Sequence, residues 1–238
     1  MLENILDRNF TMIIHIPQVL NKDELSYVQS VFRTAPFVDG KVTAGEQSAQ
    51  VKKNMQIDLQ SPECKELQEI VLKALGRNPI FNSAVMPYRV VPPLFNRYDV
   101  GMEFPDHVDN ALRPILEANM RIRTDVSSTL FLNDPEEYDG GELIMHDYSG
   151  SQSIKLPAGD MIVYPTYNLH SVSKITRGSR WASFFWTQSM IKEADKRRVL
   201  FDLDMTIIKL RTRMDDNDPQ ILELTNVYHN LMRLWCVL

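Results

Sequence analysis

Between about residues 85 and 189 this chain breaks into short runs rich in β-branched and aromatic residues, a texture that constrains its fold more than any other feature. Tyr88 to Val91, Leu94 to Tyr98, Ser127 to Leu132, Glu142 to His146, Ile154 to Leu156, Met161 to Tyr164 and Trp181 to Gln188 read as strands. Asp139-Gly140-Gly141, Pro157-Ala158-Gly159-Asp160 and Thr176-Arg177-Gly178 supply the turns between them. Many short strands joined in this way predict a sandwich or jelly roll.

On either side the pattern is largely helical. Met12 to Ile16 reads as a short strand. Asn21 with Glu24 then makes a capping-box start to a helix whose apolar stripe includes Leu25, Val28 and Phe32. A second helix opens at Ser61-Pro62, buries Leu67, Ile70, Val71 and Ala74, and is expected to stop at Gly76. After about Met190 the chain is helical again. Asp218-Pro219 is a cap and first-turn pair, followed by Ile221, Leu224, Tyr228, Leu231 and Trp235 at three- and four-residue steps. That stripe has to be covered, either by the body of the chain or by a second subunit, which would make a homodimer through the C-terminal helices. The chain thus divides into an N-terminal α/β segment integral to the fold (1–84), a β-rich core (85–189) and a C-terminal helical extension (190–238), a mixed α+β protein. Met1 to Thr11, ahead of a second methionine at Met12, read as a peripheral extension.

Composition narrows the function classes. The 238 residues are 44% hydrophobic and 24% charged, enough for a substantial core. A net charge of -5 argues against a general nucleic-acid binder, which needs cationic surface to displace counterions. No apolar run reaches membrane-spanning length, and no basic n-region precedes an apolar stretch at the start. Cys64 and Cys236 are far apart and have no metal-type spacing, which fits a reducing cytoplasm. The expectation is a cytoplasmic protein with no membrane or nucleic-acid partner.

The residues that could carry chemistry begin with His107-Val108-Asp109. With 5 histidines and 18 aspartates among 238 residues, chance alone yields about 0.4 such triplets, so the motif is weak by itself. Its setting helps: in an extended segment residues two apart point to one side, and both side chains can reach one metal ion. His170, just beyond the run Met161 to Tyr164 and the break at Pro165, would have to join them from another strand. Two imidazoles and one carboxylate form a facial ligand set that suits Fe(II) and leaves open positions; the same three ligands also suit zinc. Arg180 opens the aromatic run Trp181-Ala182-Ser183-Phe184-Phe185-Trp186. An arginine buried there needs an anionic partner, either a bound carboxylate or a nearby Asp or Glu. Lys174 and Arg177 compete for that role from turn positions that read as surface. His15, His146 and His229 have no partner at metal spacing, and Arg121 and Arg123 beside Asp125 read as a solvated charge cluster.

The run Asn96-Arg97-Tyr98, Gly101, Phe104, His107-Val108-Asp109-Asn110, then Asp139-Gly140-Gly141-Glu142-Leu143, Pro157-Ala158-Gly159-Asp160, His170 and Arg180 resembles the prolyl-4-hydroxylase-type branch of the Fe(II)/2-oxoglutarate dioxygenases. More narrowly it is similar to the bacterial PKHD-type hydroxylases, which also show a segment like Asp39 to Gly45 with Gln47-Ser48-Ala49 and Lys53-Asn54, and a helical tail. The likeness runs from about Met12 to the C-terminus. It implies a double-stranded β-helix (jelly roll) in which His107, Asp109 and His170 bind Fe(II) and act in catalysis, and Arg180 binds the distal carboxylate of 2-oxoglutarate. Tyr98 would hydrogen-bond the co-substrate or line its pocket; its plainer role is a core tyrosine at a strand end. Phe131 stands where some prolyl hydroxylases have a tyrosine that contacts the co-substrate. Asn54 and Thr43 approach the site or build loop structure.

The activity implied is hydroxylation with O2 and 2-oxoglutarate, releasing succinate and CO2, with L-ascorbate as the reductant that keeps iron reduced. Two rivals stand beside it: a non-catalytic metal or 2-oxoglutarate sensor on the same fold, and zinc hydrolysis with the same ligands. Arg180 favours the first, since a hydrolase has no evident need for that anchor. The substrate to be oxidised is unidentified, a protein side chain and a small molecule both fitting the pattern.

Overall fold

In the computed structural model, residues 12–43, 51–115, 119–147 and 150–238 are described. The extension 1–11 and residues 44–50, with Gln47-Ser48-Ala49, lie outside them, as does the side chain of Thr43. The chain opens with β1 (Ile14–Ile16), α1 (Lys22–Thr34), β2 (Phe37–Asp39) and β3 (Met55–Ile57). Two helices follow, α2 (Pro62–Arg77) and α3 (Pro79–Val85). Next come β4 (Pro87–Val90), β5 (Leu94–Asp99), β6 (Phe104–His107), β7 (Leu112–Ile115), β8 (Met120–Arg123) and β9 (Val126–Phe131). Then come β10 (Leu143–Asp147), β11 (Gly150–Ile154), β12 (Met161–Pro165), β13 (His170–Val172) and β14 (Ser179–Ser189). The chain closes with α4 (Ala194–Arg211) and α5 (Pro219–Trp235).

Local chemistry sets the helix ends. Asn21 Oδ1 accepts from Glu24 N at 2.9 Å while Glu24 Oε2 accepts from Asn21 N at 3.0 Å, the expected capping box. Helix α2 starts as predicted, with Ser61 Oγ accepting from Cys64 N, but it runs through Gly76. It ends instead at Asn78, whose Oδ1 caps Phe81 N and so starts α3, with Pro79 barring a continuous helix.

The fold is mixed α and β with antiparallel sheets. The larger sheet runs β1-β12-β9-β14-β5-β3-β2, with β4 added beside β14, and the smaller runs β11-β10-β13-β6. Strands β7 and β8 form a separate hairpin. Side chains alternate between faces along each strand. On one face of the larger sheet Phe95, Leu130, Val163 and Phe185 pack against Val28, Phe32, Leu67, Val71 and Phe81 from the helices. On the other, Tyr98, Phe131, Ile162 and Tyr164 pack against Leu143, Met145, Ile154 and Val172 of the smaller sheet. Strand β9 is therefore buried along its whole length.

The last two helices pack on one another and on the body. Leu200 of α4 joins Met86 and Ile191 in a cluster that Tyr228, Leu231, Met232 and Trp235 of α5 cover. Ile221 is fully buried, so much of the predicted stripe is satisfied within the chain. Arg197 is 1% exposed and donates to Ile191 O (2.9 Å) and Lys192 O (2.8 Å). Among the described residues no helix is long and apolar enough to cross a membrane.

Candidate metal centre

Strand β6 ends at His107, and Asp109 follows two residues on. His170 opens β13 as a strand residue, where the sequence had shown only a position beyond a break, and it is the register partner of His107. One ligand atom from each of His107, Asp109 and His170 lies within 4.8 Å of the other two. His170 Nε2 is 3.8 Å from Asp109 Oδ2, and the two imidazole centroids are 4.2 Å apart. His107 Nδ1 is 2.8 Å from Pro105 O and His170 Nδ1 is 2.9 Å from Asn168 O. A carbonyl can only accept, so each Nδ1 donates, and Nε2 is the ring atom left to face a cation. Burial, and then the adjacent His170, push the His107 imidazole below its ordinary range, into the neutral form that ligates a cation. Ser127 Oγ on β9 donates to Asp109 Oδ2 at 2.8 Å and lies 3.1 Å from Thr166 Oγ1.

Arg180 sits at the start of β14, 2% exposed, as the register partner of Tyr98 on β5. Its guanidinium carbon is 5.7 Å from the Tyr98 ring centre and 5.2 Å from that of Phe131. Among the described residues no carboxylate pairs with it, and its Nε has no hydrogen-bond partner. Gly141, at φ +70°, lets the backbone pass close by: a Cβ there would stand 3.0 Å from Arg180 Cδ and 3.0 Å from Tyr138 Cε2. Burial pushes the Tyr98 hydroxyl up to about 12, against the opposing pull of the Arg180 charge.

The chain is 61% identical over 227 residues to a PKHD-type hydroxylase of Gluconacetobacter diazotrophicus, a match spanning 95% of this chain and 100% of the relative. A PKHD-type hydroxylase of Gluconobacter oxydans is 60% identical with the same coverage. This chain belongs to the PKHD-type hydroxylase family. Residues 195–236 match the model of the PKHD-type hydroxylase C-terminal domain, and residues 93–188 that of the 2OG-Fe(II) oxygenase superfamily. Among solved structures it is similar to a Pseudomonas putida prolyl-4-hydroxylase (TM-score 0.51, 18% identity, 75% of this chain and 94% of that one). HygX of Streptomyces hygroscopicus, with nickel, 2-oxoglutarate and hygromycin B bound, gives a TM-score of 0.52 at 15% identity over 77% of this chain and 85% of that one. At those identities the likeness is one of fold.

As a PKHD-type hydroxylase the protein is an Fe(II)- and 2-oxoglutarate-dependent enzyme with O2 as co-substrate. The residues present fit both groups. Two imidazoles and a carboxylate suit a divalent transition ion, and a buried guanidinium with an unmatched N–H suits a carboxylate.

The site of this PKHD-type hydroxylase opens into a cleft of about 710 Å³ including its mouth, which holds the triad, Tyr98 and Arg180 together. Three lining residues were missed by sequence reasoning. Ser127 had a signal, since Ser127-Ser128-Thr129 interrupts an otherwise apolar strand. Lys52 and Arg113 had none: each is a single charged residue outside any motif, one in the polar stretch before Asn54 and the other between Leu112 and Pro114. Lys52 is 3% exposed, and burial lowers its amine to about 8. The Arg123–Asp125 pair is a correction. The Asp125 side chain is 5% exposed, not solvated, because the end of β14 folds over it and Ser189 N donates to Asp125 Oδ2. Other residues keep modest roles. Arg177 pairs with Asp139 on the surface. His15 pairs with Asp160 and His146 with Asp106, while Asn54 is buried beside Tyr98.

Proposed function

We propose that His107, Asp109 and His170 hold the Fe(II) of this hydroxylase, and that Arg180 anchors the distal carboxylate of 2-oxoglutarate beside Tyr98. The observation that carries this reading is a fully buried guanidinium, with no carboxylate partner among the described residues, in the same cleft as three converging metal-ligand atoms. Fe(II) and 2-oxoglutarate together supply the oxidising chemistry, in which 2-oxoglutarate and O2 give succinate and CO2 and one oxygen atom enters a C–H bond of an unidentified substrate.

The protein's own residues do the positioning. Pro105 O and Asn168 O fix the two imidazole tautomers, and Ser127 orients Asp109. Arg180 neutralises one end of the keto acid, and Tyr98, still protonated at neutral pH, can donate a hydrogen bond to it. Phe131, Tyr164 and Leu143 exclude water from the inner end of the cleft. In this reading the two sheets are the halves of a double-stranded β-helix within residues 85–189, segment 1–84 extends the larger sheet, and 190–238 forms the helical extension. Ascorbate is the reductant expected to keep iron reduced. Free Cys64 and Cys236 support a cytoplasmic setting.

The test is anaerobic addition of Fe(II) and 2-oxoglutarate, watching for the visible charge-transfer band of the chelate, followed by O2-dependent release of succinate. The band should vanish in Asp109→Ala. In Arg180→Ala, 2-oxoglutarate affinity should fall about 10- to 100-fold, the worth of a charge-assisted bidentate pair. Intact protein that gives no band overturns the assignment.

A further inference from the structure

Tyr138 is fully buried, and its hydroxyl has no hydrogen-bond partner among the described residues. The same holds for Arg180 Nε, which lies close by. A Cβ added at Gly141 would stand 3.0 Å from Tyr138 Cε2 and 3.0 Å from Arg180 Cδ, so the edge of the phenol ring runs beside the stem of the guanidinium. The hydroxyl and the Arg180 side chain are near neighbours that do not close a hydrogen bond of ordinary geometry. Unmatched polar groups in a folded interior are uncommon, and two side by side call for a role.

The segment carrying Tyr138 is fastened to the strand carrying Arg180. Asp139 and Arg177 are joined by a backbone bridge and by a 2.7 Å ion pair. Gly178, at φ +70°, passes so close that a Cβ there would stand 3.0 Å from Tyr138 Cα. Lys155 Nζ donates to Tyr138 O at 2.6 Å and lies 4.0 Å from the centre of its ring. The phenol is thus a fixed point relative to the start of β14.

We infer that Tyr138 is a positioning residue for 2-oxoglutarate: its hydroxyl oxygen accepts from Arg180 Nε–H and so turns the two Nη groups towards the distal carboxylate. The inference rests on the assignment of Arg180 as the co-substrate anchor above. A guanidinium has donors and no acceptor, so the direction of the bond is fixed. The Tyr98 and Phe131 rings, 5.7 and 5.2 Å from the guanidinium carbon, limit its tilt, and Phe131 offers no hydrogen-bonding atom. Rotation about the Cδ–Nε bond then decides which N–H edge meets the keto acid. With Nε held by Tyr138, the Nη edge presents two parallel N–H bonds to a carboxylate. Setting that orientation beforehand reduces the ordering cost of binding. The cleft wall includes Arg180 but not Tyr138, which accordingly acts through the guanidinium.

The experiment uses full-length protein with Fe(II) under anaerobic conditions, titrated with 2-oxoglutarate and with 2-oxopentanoate while the chelate band is recorded. The second acid has the same keto acid head and chain length but a methyl group in place of the distal carboxylate. Tyr138→Phe should bind 2-oxoglutarate about tenfold more weakly, the worth of a hydrogen bond to a charged group. Its affinity for 2-oxopentanoate should match that of wild type, which also shows that the variant is folded. In an Arg180→Ala background the same substitution should have no further effect. Equal weakening of both acids would mean a merely structural tyrosine, and a loss that persists without Arg180 would mean a direct contact; either overturns the inference, as does unchanged 2-oxoglutarate binding in Tyr138→Phe. Wild type without a band, or Arg180→Ala with undiminished 2-oxoglutarate affinity, sinks the earlier reading and this inference with it. A normal wild-type band and a weakened Arg180→Ala beside an unaffected Tyr138→Phe sink this inference alone.

Discussion

Ser127 on β9 donates a 2.8 Å hydrogen bond to Asp109, which lies beyond the end of β6 in the other sheet system, so the carboxylate proposed to hold the metal is steered from across the cleft. Partners of this kind set the orientation and basicity of a ligand. Ser127→Ala should keep the fold, because Thr166 and the β9 ladder remain, and should weaken metal binding by about 10- to 100-fold. A Co(II) or Fe(II) titration checks this, and unchanged affinity would show that Asp109 is oriented by something else.

Gly141→Ala should damage the proposed co-substrate site around Arg180 without touching the proposed metal ligands. The residue is at φ +70°, and the added Cβ would stand 2.5 Å from Ile175 Cδ1 as well as 3.0 Å from the Arg180 stem. The expected result is a loss of about 1–3 kcal/mol in stability, with KM for 2-oxoglutarate raised more than kcat is lowered. Denaturant unfolding and initial rates across 2-oxoglutarate concentrations measure the two effects.

Lys52→Met should stabilise the protein near neutral pH. The folded-state pKa of Lys52 is lowered to about 8 from 10.5, chiefly by burial, so its charged form opposes folding. That cost is full below about pH 8 and fades as pH rises towards the unfolded value. The variant should gain on the order of 2 kcal/mol at pH 7, with the gain shrinking by pH 10. Melting curves at the two pH values decide it, and a variant that melts lower than wild type at pH 7 would refute the expected cost.

Arg197→Met should loosen the C-terminal helices. Its guanidinium holds the carbonyls of Ile191 and Lys192, where the chain passes from β14 to α4. Leaving those acceptors unmatched costs about 1–3 kcal/mol. Proteolysis should then cut near residue 192 sooner than in wild type, while the chelate band is retained.

What could be read in the sequence follows what each element depends on. Strand β14 was legible because Trp181 to Gln188 is a long, aromatic-rich run buried on both faces. The caps Asn21, Ser61 and Asp218 were legible because capping is local chemistry. Strand β6 was not, since Pro105, Asp106 and His107 carry no apolar alternation; it forms the edge of the smaller sheet, where proline is tolerated. Strand β13 is three residues long, too short to show a period. In the site, the triad and Arg180 stood out by residue type and setting. Lys52 and Arg113 did not, because a charged residue looks the same in sequence whether the fold buries it or leaves it in water. Asp125 was misread for the same reason, its burial coming from the distant end of β14.

With the proposed ligand set, the pairing of His107 with His170 across β6 and β13 ties metal affinity to the course of folding. These partners come from opposite ends of the β-rich region, so their contact is non-local and must await the slow closure of a long stretch of chain. Until β13 lies against β6 in register, the donor set is scattered and holds a divalent ion only weakly. In a refolding experiment, uptake of a spectroscopically visible ion would therefore act as a clock for long-range strand assembly. Helix signals, which depend on neighbours in the chain, should run ahead of it.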